Sequence, residues 1–117
     1  IEFIEPTLDI KKIYELSSLV INISIRPEGF GRTVSEALSM SCPVIAPNMG
    51  GTKEQLENFN SKLLFDISSF KSFFKALEYA LNNHKGVSKN ARNFVKENYS
   101  ADLMCKNTLK IYQNLIN

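Results

Sequence analysis

The stretch that most limits what this chain can become starts at Leu19. Leu19-Val20-Ile21-Asn22-Ile23-Ser24 is a short run, β-branched and apolar at most positions, as expected of a strand buried in a parallel sheet. A turn from Arg26 to Gly31 follows. From Arg32 to about Met40 the pattern becomes helical, with Val34, Ala37 and Leu38 directed inward. Strand, glycine-bearing turn and helix N-terminus, in that order, make a place for phosphate. The first-turn N–H groups of a helix have no partner within it, and the dipole there favours an anion. Gly29 and Gly31 can take positive φ and let a ligand come close to the backbone. Glu28 and Glu36 flank this place. Carboxylates beside a phosphate repel it, so they need another use, and a carboxylate accepts two hydrogen bonds from a vicinal diol. The stretch therefore points to a sugar on one side of a diphosphate and a ribose on the other.

The rest of the chain fits that frame. Ile1 to Ile4 reads as a strand ended by Pro6, and Thr7 can cap a helix from Leu8 to about Ser17. Pro43 to Ala46 reads as the next strand. Asn48 to Gly51 is a loop, and Thr52 caps a short helix to about Asn58. Lys62 to Phe65 is a further strand. Three helices close the chain, at about Ser69 to Asn83, Val87 to Asn98 and Ala101 to Leu115. Ser68 or Ser69, Ser88, and Ser100 or Asp102 are their candidate caps. Strand and helix alternate through Phe65, which predicts an α/β fold: a Rossmann-like parallel sheet of about four strands, helices on both faces, and a helical C-terminal tail. At 117 residues the chain fits one domain,. Residues 1–66 would carry the strand–helix units and the site, and 67–117 the tail.

Glu28 and Glu36 have seven residues between them, with Gly29-Phe30-Gly31 directly after the first. This resembles the E-x7-E signature of retaining, nucleotide-sugar-dependent glycosyltransferases of the GT-B fold. Pro43-Val44-Ile45-Ala46 resembles that family's next strand, and Gly50-Gly51-Thr52-Lys53-Glu54 its G-G-x-x-E loop. The resemblance runs from about Ile1 to Tyr112. It implies that the chain is the last two-thirds of a donor-binding C-terminal domain, with two strand–helix units and the acceptor-binding N-terminal domain lying outside it. It implies a hexosyltransferase type of enzyme in polysaccharide or lipopolysaccharide synthesis, inactive as this piece alone, and cytoplasmic, either free or peripheral on the inner membrane face. Glu28 becomes the catalytic candidate, accepting hydrogen bonds from the donor sugar. Glu28, Gly29, Phe30, Gly31, Arg32 and Thr33 would bind donor sugar and diphosphate, largely through backbone N–H groups. Glu36 would hold the ribose. Neither a metal nor a cofactor is implied beyond the nucleotide-sugar substrate. Ser41 and Ser61 stand where family members usually have glycine, and serine in a left-handed helix terminus costs on the order of 1 kcal/mol.

Charge is near balance but uneven. Up to Asp66 there are six Lys/Arg against nine Asp/Glu, and from Ser68 onward eight against three. The proposed site thus sits in the acidic half. In the basic half, Lys85, Lys89, Arg92 and Lys96 share a helix face that is either solvated or rests on an anionic membrane surface. A nucleic-acid module fits poorly, because the loop is acidic and no glycine–aromatic RNA signature is present. No apolar run reaches the length of a membrane span. Cys42 and Cys105 have no metal or redox spacing and read as buried thiols. His84 reads as a solvated or carbonyl-capping residue at a helix end. The chain begins at Ile1 without a visible signal peptide and reads as a piece of something longer. Two other functions stay open: a non-catalytic interaction remnant or split-gene half that pairs with a separate N-terminal partner, and a phosphate-binding α/β domain of other chemistry. A homodimer through an exposed sheet edge is also expected to be open to the chain.

Overall fold

The computed structural model describes all 117 residues, Ile1–Asn117. Its centre is the strand β2, Val44–Pro47, whose four residues are all buried. β2 lies between β1, Val20–Ile21, and β3, Leu64–Phe65, giving a parallel three-stranded sheet in the order β1-β2-β3. Val20 stands opposite Val44, and Ala46 opposite Leu64. The class is the expected one, since β-branched, doubly buried runs joined through helices give parallel pairing.

The chain forms six helices: α1 Ile10–Leu16, α2 Arg32–Ser39, α3 Gly50–Asn60, α4 Phe70–Asn82, α5 His84–Tyr99 and α6 Ala101–Ile116. α2 and α3 pack on β2, α4 on β3, and α5 on α2. Val34, Ala37 and Leu38 are fully buried on α2. Val87 and Ala91 are buried on α5, whereas Lys85, Lys89, Arg92 and Lys96 are exposed, so α5 is amphipathic as its pattern predicts,. Ser69 accepts from the Ser72 N–H at 3.2 Å and Ser100 from the Leu103 N–H at 3.3 Å, capping α4 and α6,.

Several expectations are corrected. Ile1–Ile4 forms no strand. It is exposed, with Phe3 at 94 %, so the sheet has three strands rather than four. A four-residue segment with no neighbouring strand has nothing to satisfy its backbone groups except water. The edge of β1 is not covered by it, and Ile21 in that strand remains exposed. α3 begins at Gly50, and Thr52 is not its cap. The Thr52 hydroxyl lies 2.8 Å from the carbonyls of both Pro47 and Met49 inside the loop. α5 begins at His84, so His84 opens a helix instead of ending one, and Ser88 lies within the helix as a buried hydroxyl without a partner. Cys42 is buried, but Cys105 is exposed. Ser61 has right-handed helical backbone, φ −61°, so glycine has no advantage there. Ser41 is left-handed, φ 59°, as expected.

Candidate functional site

β1 delivers the site. Its ladder continues one residue past Ile21, because the Asn22 N–H donates to the Ile45 carbonyl at 3.0 Å. The chain then turns back on itself. The Asn22 side-chain carbonyl accepts from the Ser24 N–H at 2.9 Å, an Asx-type closure,. Asn22 Nδ2 donates to Glu28 Oε1 at 2.9 Å, and the Ser24 hydroxyl donates to the same oxygen at 2.5 Å. These bonds, that of Ser24 first and then that of Asn22, hold the Glu28 carboxyl below the usual glutamate range,. Glu28 is therefore a carboxylate, an acceptor only.

The turn beyond Glu28 rests on the Gly50-Gly51 loop. The Gly51 N–H donates to the Glu28 carbonyl at 2.8 Å. A methyl group on Gly51 would lie 2.5 Å from Phe30 Cα, which no real side chain tolerates. Gly50 has φ 56°, and a Cβ there would meet the Glu28 carbonyl at 2.7 Å. Gln55 Nε2 donates to Gly31 O at 3.2 Å and also to the Phe30 carbonyl. These contacts make the glycine pair a tight supporting loop and not an anion-facing turn, because the Gly51 N–H is already spent on Glu28.

Gly31 is the N-cap of α2 at φ 80°, a left-handed conformation. It has no side chain to cap the helix, so the first-turn amides at Arg32 and Thr33 are not closed off by one,. Phe30 is 45 % exposed and meets Tyr99 edge-on, ring centroids 5.4 Å apart, which ties the turn to the end of α5,. Four residues into α2, Glu36 has both oxygens engaged. Arg32 Nη2 reaches Oε1 at 2.9 Å, and the Tyr14 hydroxyl donates to Oε2 at 3.1 Å. Burial and then the Glu36 carboxylate push the Tyr14 hydroxyl up to about 12,. The Arg32 side chain is 84 % exposed, and such i,i+4 pairs are worth only about 0.3–0.5 kcal/mol. Arg32 is thus free to exchange partners.

The structure gathers every residue singled out in the sequence between Glu28 and Glu36 on one turn and the start of one helix. It adds four that the sequence reading missed: Tyr14, Asn22, Ser24 and Gln55. Asn22 had a signal, being the one amide inside an apolar run. Tyr14 had none, since with Ile10 and Ile13 it makes an ordinary apolar stripe at helical spacing,.

A parallel sheet that feeds a glycine turn, a helix N-terminus and two carboxylates is a Rossmann-like arrangement, and comparison with known proteins gives its family. The family model for glycosyl transferases group 1 matches residues 1–101, and the chain belongs to that family. It is 25 % identical over 117 residues to spore coat protein SA of Bacillus subtilis, covering 97 % of this chain and 31 % of that protein. It is 33 % identical over 95 residues to the trehalose synthase of Thermococcus litoralis, covering 78 % of this chain and 22 % of that one. The crystal structure of a glycosyltransferase from Rickettsia africae superposes with a TM-score of 0.83 at 30 % identity, over 95 % of this chain and 31 % of that one. The chain therefore spans less than a third of the length of each of these relatives. No helix is long and apolar enough to cross a membrane.

Proposed function

We propose that this chain is the donor-binding portion of a retaining glycosyltransferase of hexosyltransferase type. In this reading the diphosphate lies at the N-terminus of α2, against the backbone of Gly29 to Thr33. Glu36 accepts from the ribose hydroxyls, displacing Arg32, whose guanidinium then turns to the diphosphate. Glu28 accepts from a hydroxyl of the donor sugar. The protein positions the donor and stabilises the departing diphosphate electrostatically. The acceptor, a glycan or a lipid-linked glycan, is held by protein outside these residues, so the 117-residue chain transfers no sugar alone. The observation that carries this reading is the placement of Glu28 and an uncapped helix N-terminus on one turn, within a chain of this family.

Titration calorimetry tests the division of labour. Glu36→Ala is expected to weaken nucleoside diphosphate and nucleotide sugar alike. Glu28→Ala is expected to weaken the nucleotide sugar selectively. A hydrogen bond to a charged group is worth about 1.5–3 kcal/mol, so each loss should be measurable. Equal losses for both ligands in both variants would remove the assignment, and sugar transfer by the purified chain would remove the claim that it is incomplete. One observation favours the second reading, an interaction half that docks on a separate polypeptide: α6 buries none of its side chains. Co-purification of such a partner without nucleotide-sugar binding would select it.

A further inference from the structure

Glu28 is held from one side only. Asn22 Nδ2 and the Ser24 hydroxyl both donate to Oε1, while Oε2 takes no hydrogen bond or ion pair from the protein. Two donors use the two lone pairs of Oε1. The donors are fixed in turn. Asn22 is 7 % exposed and its backbone is tied to β2 through the Ile45 carbonyl. Its Oδ1 accepts from the Ser24 N–H, so a flipped amide would set N–H against N–H,. The Ser24 hydroxyl has to donate, since a carboxylate has no proton to give it. A vicinal diol, by contrast, is clamped by two carboxylate oxygens at once.

We propose that Asn22 and Ser24 are positioning residues of the donor site: they lock Glu28 with Oε1 toward the sheet and leave Oε2 alone to meet the ligand, so that Glu28 reads one hydroxyl of the donor sugar and not a vicinal pair. This rests on the assignment of Glu28 to the donor sugar made above. The order imposed on the carboxylate is set before ligand arrives, so the entropy of fixing a free glutamate is not lost on binding.

The test uses the 117-residue chain with UDP-glucose, ADP-glucose and GDP-mannose, each compared by calorimetry with its own nucleoside diphosphate. Every variant then yields a selectivity ratio. Ser24→Ala and Asn22→Ala are expected to lower that ratio by about tenfold, toward the value of Glu28→Ala, with the plain diphosphate bound as in the wild type. Ser24→Thr keeps the hydroxyl and restores the ratio. A carbon-detected NMR titration of the Glu28 carboxyl, without ligand, should move upward in Ser24→Ala and Asn22→Ala and not in Ser24→Thr, which a cradle that merely holds the loop by packing would not produce. Among monodeoxy analogues of the preferred donor, loss of one hydroxyl alone should abolish the effect of Glu28→Ala. The proposal is overturned if Glu28→Ala narrows the ratio but the Ser24 and Asn22 variants do not, or if two adjacent hydroxyls are each required. If Glu28→Ala itself leaves the ratio unchanged, or no donor binds at millimolar concentration, the donor-sugar role of Glu28 falls first and the positioning role with it.

Discussion

Ser41 ends α2 in a conformation that suits glycine. The Cys42 N–H reaches the Ala37 carbonyl at 2.9 Å and the Ser41 N–H reaches Leu38 at 3.0 Å, the paired bonds of a Schellman terminus with Ser41 at its left-handed position,. A side chain there costs about 1–2 kcal/mol, and glycine would return about 0.4–1 kcal/mol of that through the greater freedom of its unfolded chain. Ser41→Gly should therefore stabilise the chain by about 0.5–1 kcal/mol net. A urea melt with an unchanged slope and a higher midpoint checks it, and a lower midpoint would show that the Ser41 side chain makes a contact of greater value. The same backbone logic separates Ser61, where φ −61° suits any residue. Both serines look alike in sequence. Only the dihedral angle, which depends on how the next strand is reached, tells them apart.

At the level of elements, the apolar runs located all three strands, but the ladders are shorter than the runs. Leu19–Ser24 yields only Val20–Ile21 as strand because the chain turns at Asn22 to seat Glu28. Lys62 and Leu63 enter a 3₁₀ turn before β3. Such departures arise from side-chain bonds across several residues, which periodicity does not record. The turn between Glu28 and Thr33 was legible, since glycine and carboxylate spacing carry its chemistry. Its support was not: the contact of Gly51 with the Glu28 carbonyl joins segments more than twenty residues apart. The helix contact between α1 and α2 was equally hidden. It runs through Tyr14, whose hydroxyl donates to Glu36. The folded Tyr14 titrates at about 12 against 10.0 for a free tyrosine, so the folded state keeps its proton longer than the unfolded state. The contribution is whole below pH 10.0 and declines as pH rises to about 12,. Tyr14→Phe should remove that part of the alkaline decline and lower neutral-pH stability by about 1 kcal/mol. Chemical denaturation at about pH 8 and about pH 11, on either side of the free tyrosine value, reads both, and an alkaline slope unchanged by the substitution would refute the role of Tyr14.

The whole molecule is elongated, 54 × 30 × 29 Å, and much apolar surface is left outside its core. Ile21 in the edge strand β1 is 43 % exposed, and Ile23 and Ile25 in the turn after it are 65 and 80 % exposed. An edge with unpaired backbone groups and apolar neighbours is a template for another strand. The isolated chain should associate in a concentration-dependent way, and Ile21→Lys should weaken that association while leaving the melting midpoint close to wild type. Sedimentation velocity over a range of concentrations decides it: a wild-type chain that stays monomeric throughout would show the edge to be harmless. The Gly51–Glu28 bond bears on the molecule in another way. It joins residues more than twenty positions apart, across β2 and the start of α3. Asn22 and Ser24 grip the Glu28 side chain locally, while its main chain is anchored by the segment that follows β2. Disturbing the Gly50-Gly51 loop would therefore unseat the Glu28 carbonyl even with the Asn22 and Ser24 bonds intact.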